Sequence, residues 1–123
     1  KFVLFCLKEM WGGEIFVPKI PSYKVVDLAR AISPKCKLKF VGIRPGEKIH
    51  EEMISANESL NTIEFKNYFA IIPKSEFINW DKKKYMKKHK KGKICTYNFS
   101  YNSQKNSQFL KISEIKKLIK DHS

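Results

Sequence analysis

Short apolar segments, each ended by glycine or proline, most constrain what this chain can fold into. Residues 2–11 place apolar side chains on one broad helical face, and Gly12 and Gly13 follow them as a common helix end. Residues 15–17 form a short apolar and partly β-branched run closed by Pro18, which indicates a buried strand. A chain interrupted this often builds several short elements rather than one long helix.

A second helix and a second strand are predicted next. From Ser22, a good N-cap residue, apolar side chains recur at helical spacing as far as Ile32, and Ser33 and Pro34 end the pattern. Residues 38–43 are again apolar and β-branched, which predicts a strand. Strand, helix and strand in this order predict a βαβ unit with a parallel pair, and therefore an α/β fold.

Smaller elements are predicted for the remainder. Residues 48–54 indicate a short helical or irregular segment with Ile49 and Met53 inward, before a polar turn at residues 55–61. Residues 63–72 predict a small hairpin closed around Lys66 and Asn67.

After a polar loop at residues 98–108, a C-terminal helix is expected at residues 112–119, where the apolar positions again have helical spacing. Ser113 is a candidate cap for that helix.

Cysteine content and hydropathy exclude several classes of protein. The three cysteines, Cys6, Cys36 and Cys95, are widely spaced and lack metal-ligand spacing with any histidine, which indicates a reducing compartment and no metal site. The apolar run at residues 2–7 is too short for a secretion signal, and no segment approaches a membrane span. A start at Lys1 without methionine predicts that the chain begins inside a helix of a longer protein.

Positive charge is concentrated in one segment. Eight lysines between Lys82 and Lys93, with no acid among them, supply +8 of the net +13. The segment fits a mobile, solvated surface stretch or the contact region of an anionic partner. Tyr85, Tyr97 and Phe99 lie near it, so a small basic nucleic-acid-binding module is the alternative function. Because the segment lacks arginine and no nucleic-acid motif is present, we expect no specific nucleic-acid binding.

The best candidate for ligand contact directly follows the second predicted strand. It comprises Arg44, Pro45, Gly46 and Glu47, and ligands of open α/β sheets bind beyond the carboxyl ends of strands. An arginine fork suits a diphosphate, and a carboxylate suits sugar hydroxyls. The same four residues also fit a purely structural turn with an ion pair between Arg44 and Glu47.

Residues 13–22, 27–29 and 42–51 resemble the C-terminal region of UDP-N-acetylglucosamine 4,6-dehydratases, members of the extended short-chain dehydrogenase/reductase (SDR) superfamily. The configuration-inverting type, which serves pseudaminic acid and polysaccharide biosynthesis, is the nearest match. Residues 98–103 resemble the family's polar tail, so the likeness covers most of the chain and weakens across residues 77–93.

This resemblance implies a role for the candidate corner. Arg44 and Glu47 would contact the UDP-sugar, and Pro45 and Gly46 would support the backbone. Lys19, after the first strand, is a further candidate for the ligand cleft.

The resemblance also implies that residues 1–123 form the C-terminal substrate-binding part of an extended Rossmann-type fold. The complete enzyme would use NADP, form a homo-oligomer and work in the cytoplasm, where it would dehydrate a UDP-sugar for surface polysaccharide or flagellin glycan synthesis. We expect this chain alone to bind no cofactor and to be inactive, because the glycine-rich turn and the catalytic Tyr-x-x-x-Lys are expected in the N-terminal part. Tyr101 and Lys105 have that spacing but lie in a polar loop, which indicates coincidence; His50 fits a structural histidine better than a proton donor.

Overall fold

A computed structural model describes residues 1–74, 80–89 and 92–122. Helices and strands alternate within these ranges, which confirms the α/β class with a small hairpin and a C-terminal helix. The helices are α1 (Phe2–Glu9), α2 (Val25–Ile32), α3 (Lys82–Lys88), α4 (Ile112–His122) and a 3-10 helix (Ala56–Asn61), and the strands are β1 (Ile15–Pro18), β2 (Glu52–Ile54), β3 (Thr62–Glu64), β4 (Tyr68–Ile71), β5 (Lys93–Ile94) and β6 (Tyr101–Asn102).

The chain divides into two compact units. The first unit, here called the sheet unit, comprises Lys1–Lys19 and Glu52–Tyr101. The second unit, here called the helix-pair unit, comprises Ile20–Glu51 and Asn102–Ser123.

Antiparallel pairing organises the sheet unit. Its four-stranded sheet has the order β1-β4-β3-β5, and a separate two-stranded ladder joins β2 to β6. The register places Ile15 opposite Ile71 and Ile63 opposite Ala70. The predicted hairpin is confirmed as β3 and β4, and the N–H of Phe65 donates to the carbonyl of Tyr68 at 2.9 Å to close it.

Alternation along the strands builds two apolar clusters in the sheet unit. Side chains of neighbouring strand positions point to opposite faces, so Phe69 and Ala70 belong to different clusters. One cluster contains Ile63, Phe65, Ala70, Ile72 and Tyr85, and the other contains Val17, Ile54, Phe69 and Cys95.

The predicted βαβ unit is wrong. β1 pairs antiparallel with β4, and residues 38–43 form no strand. Gly42 has a φ of +83°, which interrupts the extended backbone that a strand needs, and Phe40 remains 81% exposed.

The segment that follows was also mispredicted. Ile49 and Met53 were expected inward, but both are exposed. Met53 and Ile54 are neighbours in β2 and point to opposite faces, so Ile54 packs with Val17 and Phe69 while Met53 is exposed.

Helices α2 and α4 pack against each other in the helix-pair unit, and both were predicted. The cap of α2 is Lys24 and not Ser22, because the backbone of Ser22 is engaged elsewhere. Its N–H donates to the carbonyl of Gln108, and its carbonyl accepts from the N–H of Leu110, each at 2.8 Å.

The start of α4 differs slightly from expectation. Ser113 lies inside the helix, and Glu114 accepts a 2.7 Å hydrogen bond from the N–H of Lys111 at the helix start.

Candidate functional site

The four candidate residues form a closed turn at the surface of the helix-pair unit. The N–H of Glu47 donates to the carbonyl of Arg44 at 3.0 Å, which closes a four-residue turn. Pro45 occupies the second position, and Gly46 occupies the third with a φ of +84°. This combination is typical of a type II turn, in which the third residue needs a left-handed backbone.

The Glu47 carboxylate clamps the same turn. Its Oε2 accepts a hydrogen bond from the backbone N–H of Arg44 at 2.9 Å. Its Oε1 lies 3.9 Å from Nε of Arg44, so the expected ion pair is present but loose. Because the two side chains are 78% and 51% exposed, solvent screens this pair and it contributes little to stability.

The geometry leaves the Arg44 side chain available to an anion. Among the described residues, the ion pair engages its Nε alone and not the terminal nitrogens of the guanidinium. Those nitrogens project donors in a fixed fork that matches two oxygens of a phosphate. The turn can therefore be structural and ligand-binding at once, with Glu47 holding the backbone and Arg44 meeting the ligand.

Ser103 anchors the segment after the turn, a role that the sequence did not predict. Its Oγ accepts a 3.1 Å hydrogen bond from the N–H of Glu51, and its own N–H donates to the Glu51 carbonyl at 2.9 Å. His50 places Nδ1 3.5 Å from the same Oγ, on an exposed side chain. These contacts favour the structural interpretation of His50.

Lys19 is held by residues of the sheet unit. Its Nζ lies 2.6 Å from Oε1 of Glu64 and 4.7 Å from the centre of the Phe69 ring. The ammonium is thus paired internally. Sequence spacing could not have revealed Glu64, because β1 and β3 are neighbours only through β4.

The lysine segment contains a short helix, and most of its described lysines are exposed, as a solvated surface segment would have them. Residues 82–88 form α3, and Asp81 caps it by accepting a 3.0 Å hydrogen bond from the N–H of Lys84. Lys82 donates to the Leu60 carbonyl at 2.6 Å, and burial lowers its pKa. Lys90 and Lys91 lie outside the described residues.

The aromatic residues near these lysines do not form one stacking surface. Tyr85 is fully buried, and Phe99 packs against Phe69 with ring centres 5.4 Å apart. Tyr97 is exposed. Since two of the three rings are used in the core, the nucleic-acid alternative loses its main support.

Tyr101 and Lys105 are not paired on one helix. Tyr101 lies in β6, and Lys105 follows in a turn where its N–H donates to Oδ1 of Asn102 at 2.9 Å. The catalytic arrangement needs both side chains on the same helical face, so the motif spacing here is coincidental.

Across residues 1–74, 80–89 and 92–122, no group of three or more His, Cys, Asp or Glu side chains is arranged to hold a metal ion. In the same ranges no helix has both the length and the apolarity to cross a membrane.

This chain is similar to curated proteins of the family that the sequence resembles. The chain is 44% identical over 120 residues to a protein of Campylobacter jejuni named UDP-N-acetylglucosamine 4,6-dehydratase (inverting), and it is 29% identical over 121 residues to a UDP-glucose 4-epimerase of Rickettsia bellii. These alignments cover 97% and 95% of this chain. The chain spans only 36% and 34% of the relatives' own lengths, about a third.

A solved structure supports the fold. The chain superposes on Pen from Bacillus thuringiensis with a TM-score of 0.68 and 25% identity, over 97% of this chain and 34% of that one. The likeness supports a fold of the SDR type. A family model described as polysaccharide biosynthesis protein matches residues 1–73, more than half of the chain, and the chain therefore belongs to that family.

Proposed function

We propose that the corner Arg44–Glu47 binds the diphosphate of a UDP-sugar in a UDP-N-acetylglucosamine 4,6-dehydratase. The observation that carries the proposal is the exposed guanidinium of Arg44, fixed on a type II turn that Glu47 clamps. The names of the relatives from Campylobacter jejuni supply the substrate class.

The division of work within the corner follows from its hydrogen bonds. Glu47 Oε2 is already engaged by the Arg44 backbone, so the carboxylate contributes mainly by orienting the arginine. Arg44 can then offer two parallel N–H donors to phosphate oxygens, which a lysine ammonium cannot reproduce. Binding the nucleotide, which lies away from the reacting sugar, serves catalysis because it orients the hexose at the reacting centre.

NADP belongs, in this proposal, to a part of the complete enzyme that precedes Lys1. A dinucleotide site needs glycines in a turn that opens a helix. Gly12 and Gly13 instead follow α1 and lead into β1, and Gly92 leads into β5. The glycines of this chain therefore do not fit that site, and we expect the chain alone to be inactive.

We also propose the compartment and the oligomeric state of the complete enzyme. The three cysteines of this chain are free thiols, which suits the reducing cytoplasm. There, the product of the complete enzyme would enter surface polysaccharide or flagellin glycan synthesis. We further propose that the complete enzyme is a homo-oligomer.

Replacing Arg44 in the complete enzyme tests the proposal. We expect Arg44→Ala to lower kcat/KM for UDP-N-acetylglucosamine by an amount worth roughly 2 to 5 kcal/mol, provided that the complete enzyme encloses the phosphate bound to Arg44, because the phosphate would then lose a desolvated charged partner. Arg44→Lys should restore only part of the activity. NADP affinity, measured by fluorescence, should stay the same in both variants.

Arg30→Ala is the matched control, since Arg30 is an exposed arginine on α2 of the same unit. It should leave kcat/KM unchanged. Full turnover in a folded Arg44→Ala enzyme would mean that the corner is only a structural turn.

A further inference from the structure

The sheet unit contains a cavity of about 510 Å³ that the proposed UDP-sugar site does not use. Four aromatic residues, Phe2, Phe5, Phe65 and Tyr68, contribute to its wall, and one carboxylate, Glu9, joins them. Both halves of the unit contribute, because α1 provides Phe2, Phe5 and Glu9 while the hairpin provides the other two rings.

The four rings are in contact as one group. The Phe65 and Tyr68 rings stack with centres 4.6 Å apart, and Phe5 meets Tyr68 edge to face at 5.2 Å. Phe2 completes the group, 6.0 Å from Phe5. An aromatic ring attracts a cation that lies over its face within about 6 Å of the ring centre.

In the described part of the chain, no lysine or arginine forms an ion pair with Glu9. Among the described residues, the basic group within 4.0 Å of its carboxylate is His89, with Nδ1 3.8 Å from Oε2. The His89 side chain is only 8% exposed, and burial lowers its pKa, so the imidazole is neutral near pH 7. A carboxylate beside a neutral imidazole and four rings can attract a positive ligand.

Aromatic faces elsewhere in this unit already accept cations. Lys19 Nζ lies 4.7 Å from the centre of Phe69, and Lys88 Nζ lies 5.8 Å from the centre of Trp11. No such lysine lies over the four cavity rings in the described part of the chain.

We propose that this cavity binds a small organic ammonium group, with its charge beside Glu9 and its carbon substituents against Phe2, Phe5, Phe65 and Tyr68. Lys66 also borders the cavity, but its side chain is exposed and can extend into water. Its positive charge weakens the site without closing it.

Choline and its neutral isostere 3,3-dimethylbutan-1-ol test the proposal directly, because they share a shape and differ in charge. We expect choline to bind the 123-residue chain about tenfold more tightly than the isostere. Titrations followed by calorimetry and by the methyl NMR signal of each compound measure the two affinities. Equal affinity for the two compounds, or no binding of choline, would overturn the assignment.

Two variants of opposite effect locate the binding. Glu9→Gln should remove the preference for choline, whereas Lys66→Gln should strengthen choline binding several-fold by removing a repulsive charge. Asp121→Asn makes the same charge change as Glu9→Gln at an exposed position on α4 and should retain the preference. If Glu9→Gln still prefers choline, or if Asp121→Asn loses the preference equally, the assignment of the site to Glu9 is wrong. If Glu9→Gln does not fold, Lys66→Gln takes its place as the test, and unchanged choline binding in that variant would contradict the proposal.

The ammonium could be free or part of a lipid head group, and sedimentation with phosphatidylcholine vesicles distinguishes these sources. If the chain pellets with the vesicles and free choline reverses this binding, the ligand is a lipid head group. Choline binding without pelleting assigns the free compound.

Discussion

The carboxylate of Glu47 accepts a 2.9 Å hydrogen bond from the backbone N–H of Arg44, three residues earlier. The residue expected to touch the ligand is thus oriented by its own neighbour in the turn. This arrangement separates two roles for Glu47, one that needs only an acceptor oxygen and one that needs negative charge.

Replacing Glu47 in the complete enzyme distinguishes these roles. Glu47→Gln keeps an acceptor oxygen, so we expect it to retain most of the kcat/KM for the UDP-sugar. Glu47→Ala removes the clamp and should cost roughly 0.5 to 1.5 kcal/mol of turn stability, with a larger loss of kcat/KM. If Gln proves as damaging as Ala, the negative charge itself contacts the ligand.

Replacing Gly46 or Gly92 by alanine should lower the stability of the fold, for a different reason at each position. Gly46 has a positive φ and nothing within 4 Å of an added Cβ, so Gly46→Ala introduces only backbone strain, worth about 1 kcal/mol. A Cβ at Gly92 would lie 2.6 Å from Cε1 of Phe65 and 2.8 Å from Cγ2 of Ile63, so Gly92→Ala overpacks the core at a cost of about 1 to 3 kcal/mol.

Urea unfolding measures both costs. Gly46→Asn is the control for the turn, because asparagine tolerates a left-handed backbone better than alanine. A Gly46→Asn variant no more stable than Gly46→Ala would argue against strain as the cause.

Stability should fall in mild acid because of His89. Burial lowers its pKa from the ordinary value of 6.5, so the unfolded chain binds a proton more readily than the folded one. The stability that comes from a neutral His89 is complete above about pH 6.5 and is lost as the pH falls below that value.

Comparing unfolding free energies at pH 7.5 and pH 5 with those of His89→Gln tests this expectation. The native chain should lose more stability than the variant across that interval. His122→Gln, which removes a histidine from an exposed position on α4, is the matched control. The same pH dependence in the native chain and in His89→Gln would show that another group causes the loss.

Local patterns predicted the local elements well. α2, α4, β1 and the hairpin of β3 and β4 all appear where apolar spacing and turn residues indicated. Each of these elements is decided by residues close in sequence, through helical periodicity or a tight turn. Pro45 and Gly46 announced the turn at Arg44 by their backbone preferences, but its expected position at the end of a strand is wrong, because residues 38–43 form no strand.

Non-local pairing was beyond the same reasoning. Residues 38–43 have the composition of a strand, but composition cannot report whether a partner strand offers its hydrogen bonds. β1 takes its partner from β4, more than fifty residues away, and the ion pair of Lys19 with Glu64 follows from that pairing. The burial of Tyr85 was not predicted, because a single apolar side chain among lysines gives no periodic pattern from which an inward face could be recognised.

Within the described ranges, the hydrogen bonds of the corner at Arg44 join residues no more than three apart. A recognition element built in this way carries its shape in four consecutive residues and does not depend on a neighbouring strand. Proline fixes its own φ, glycine adopts the left-handed backbone without strain, and two hydrogen bonds close the turn before any ligand arrives. The conformational entropy of this backbone is therefore lost during folding and not during binding. A ligand that meets Arg44 therefore has only the side chain left to order.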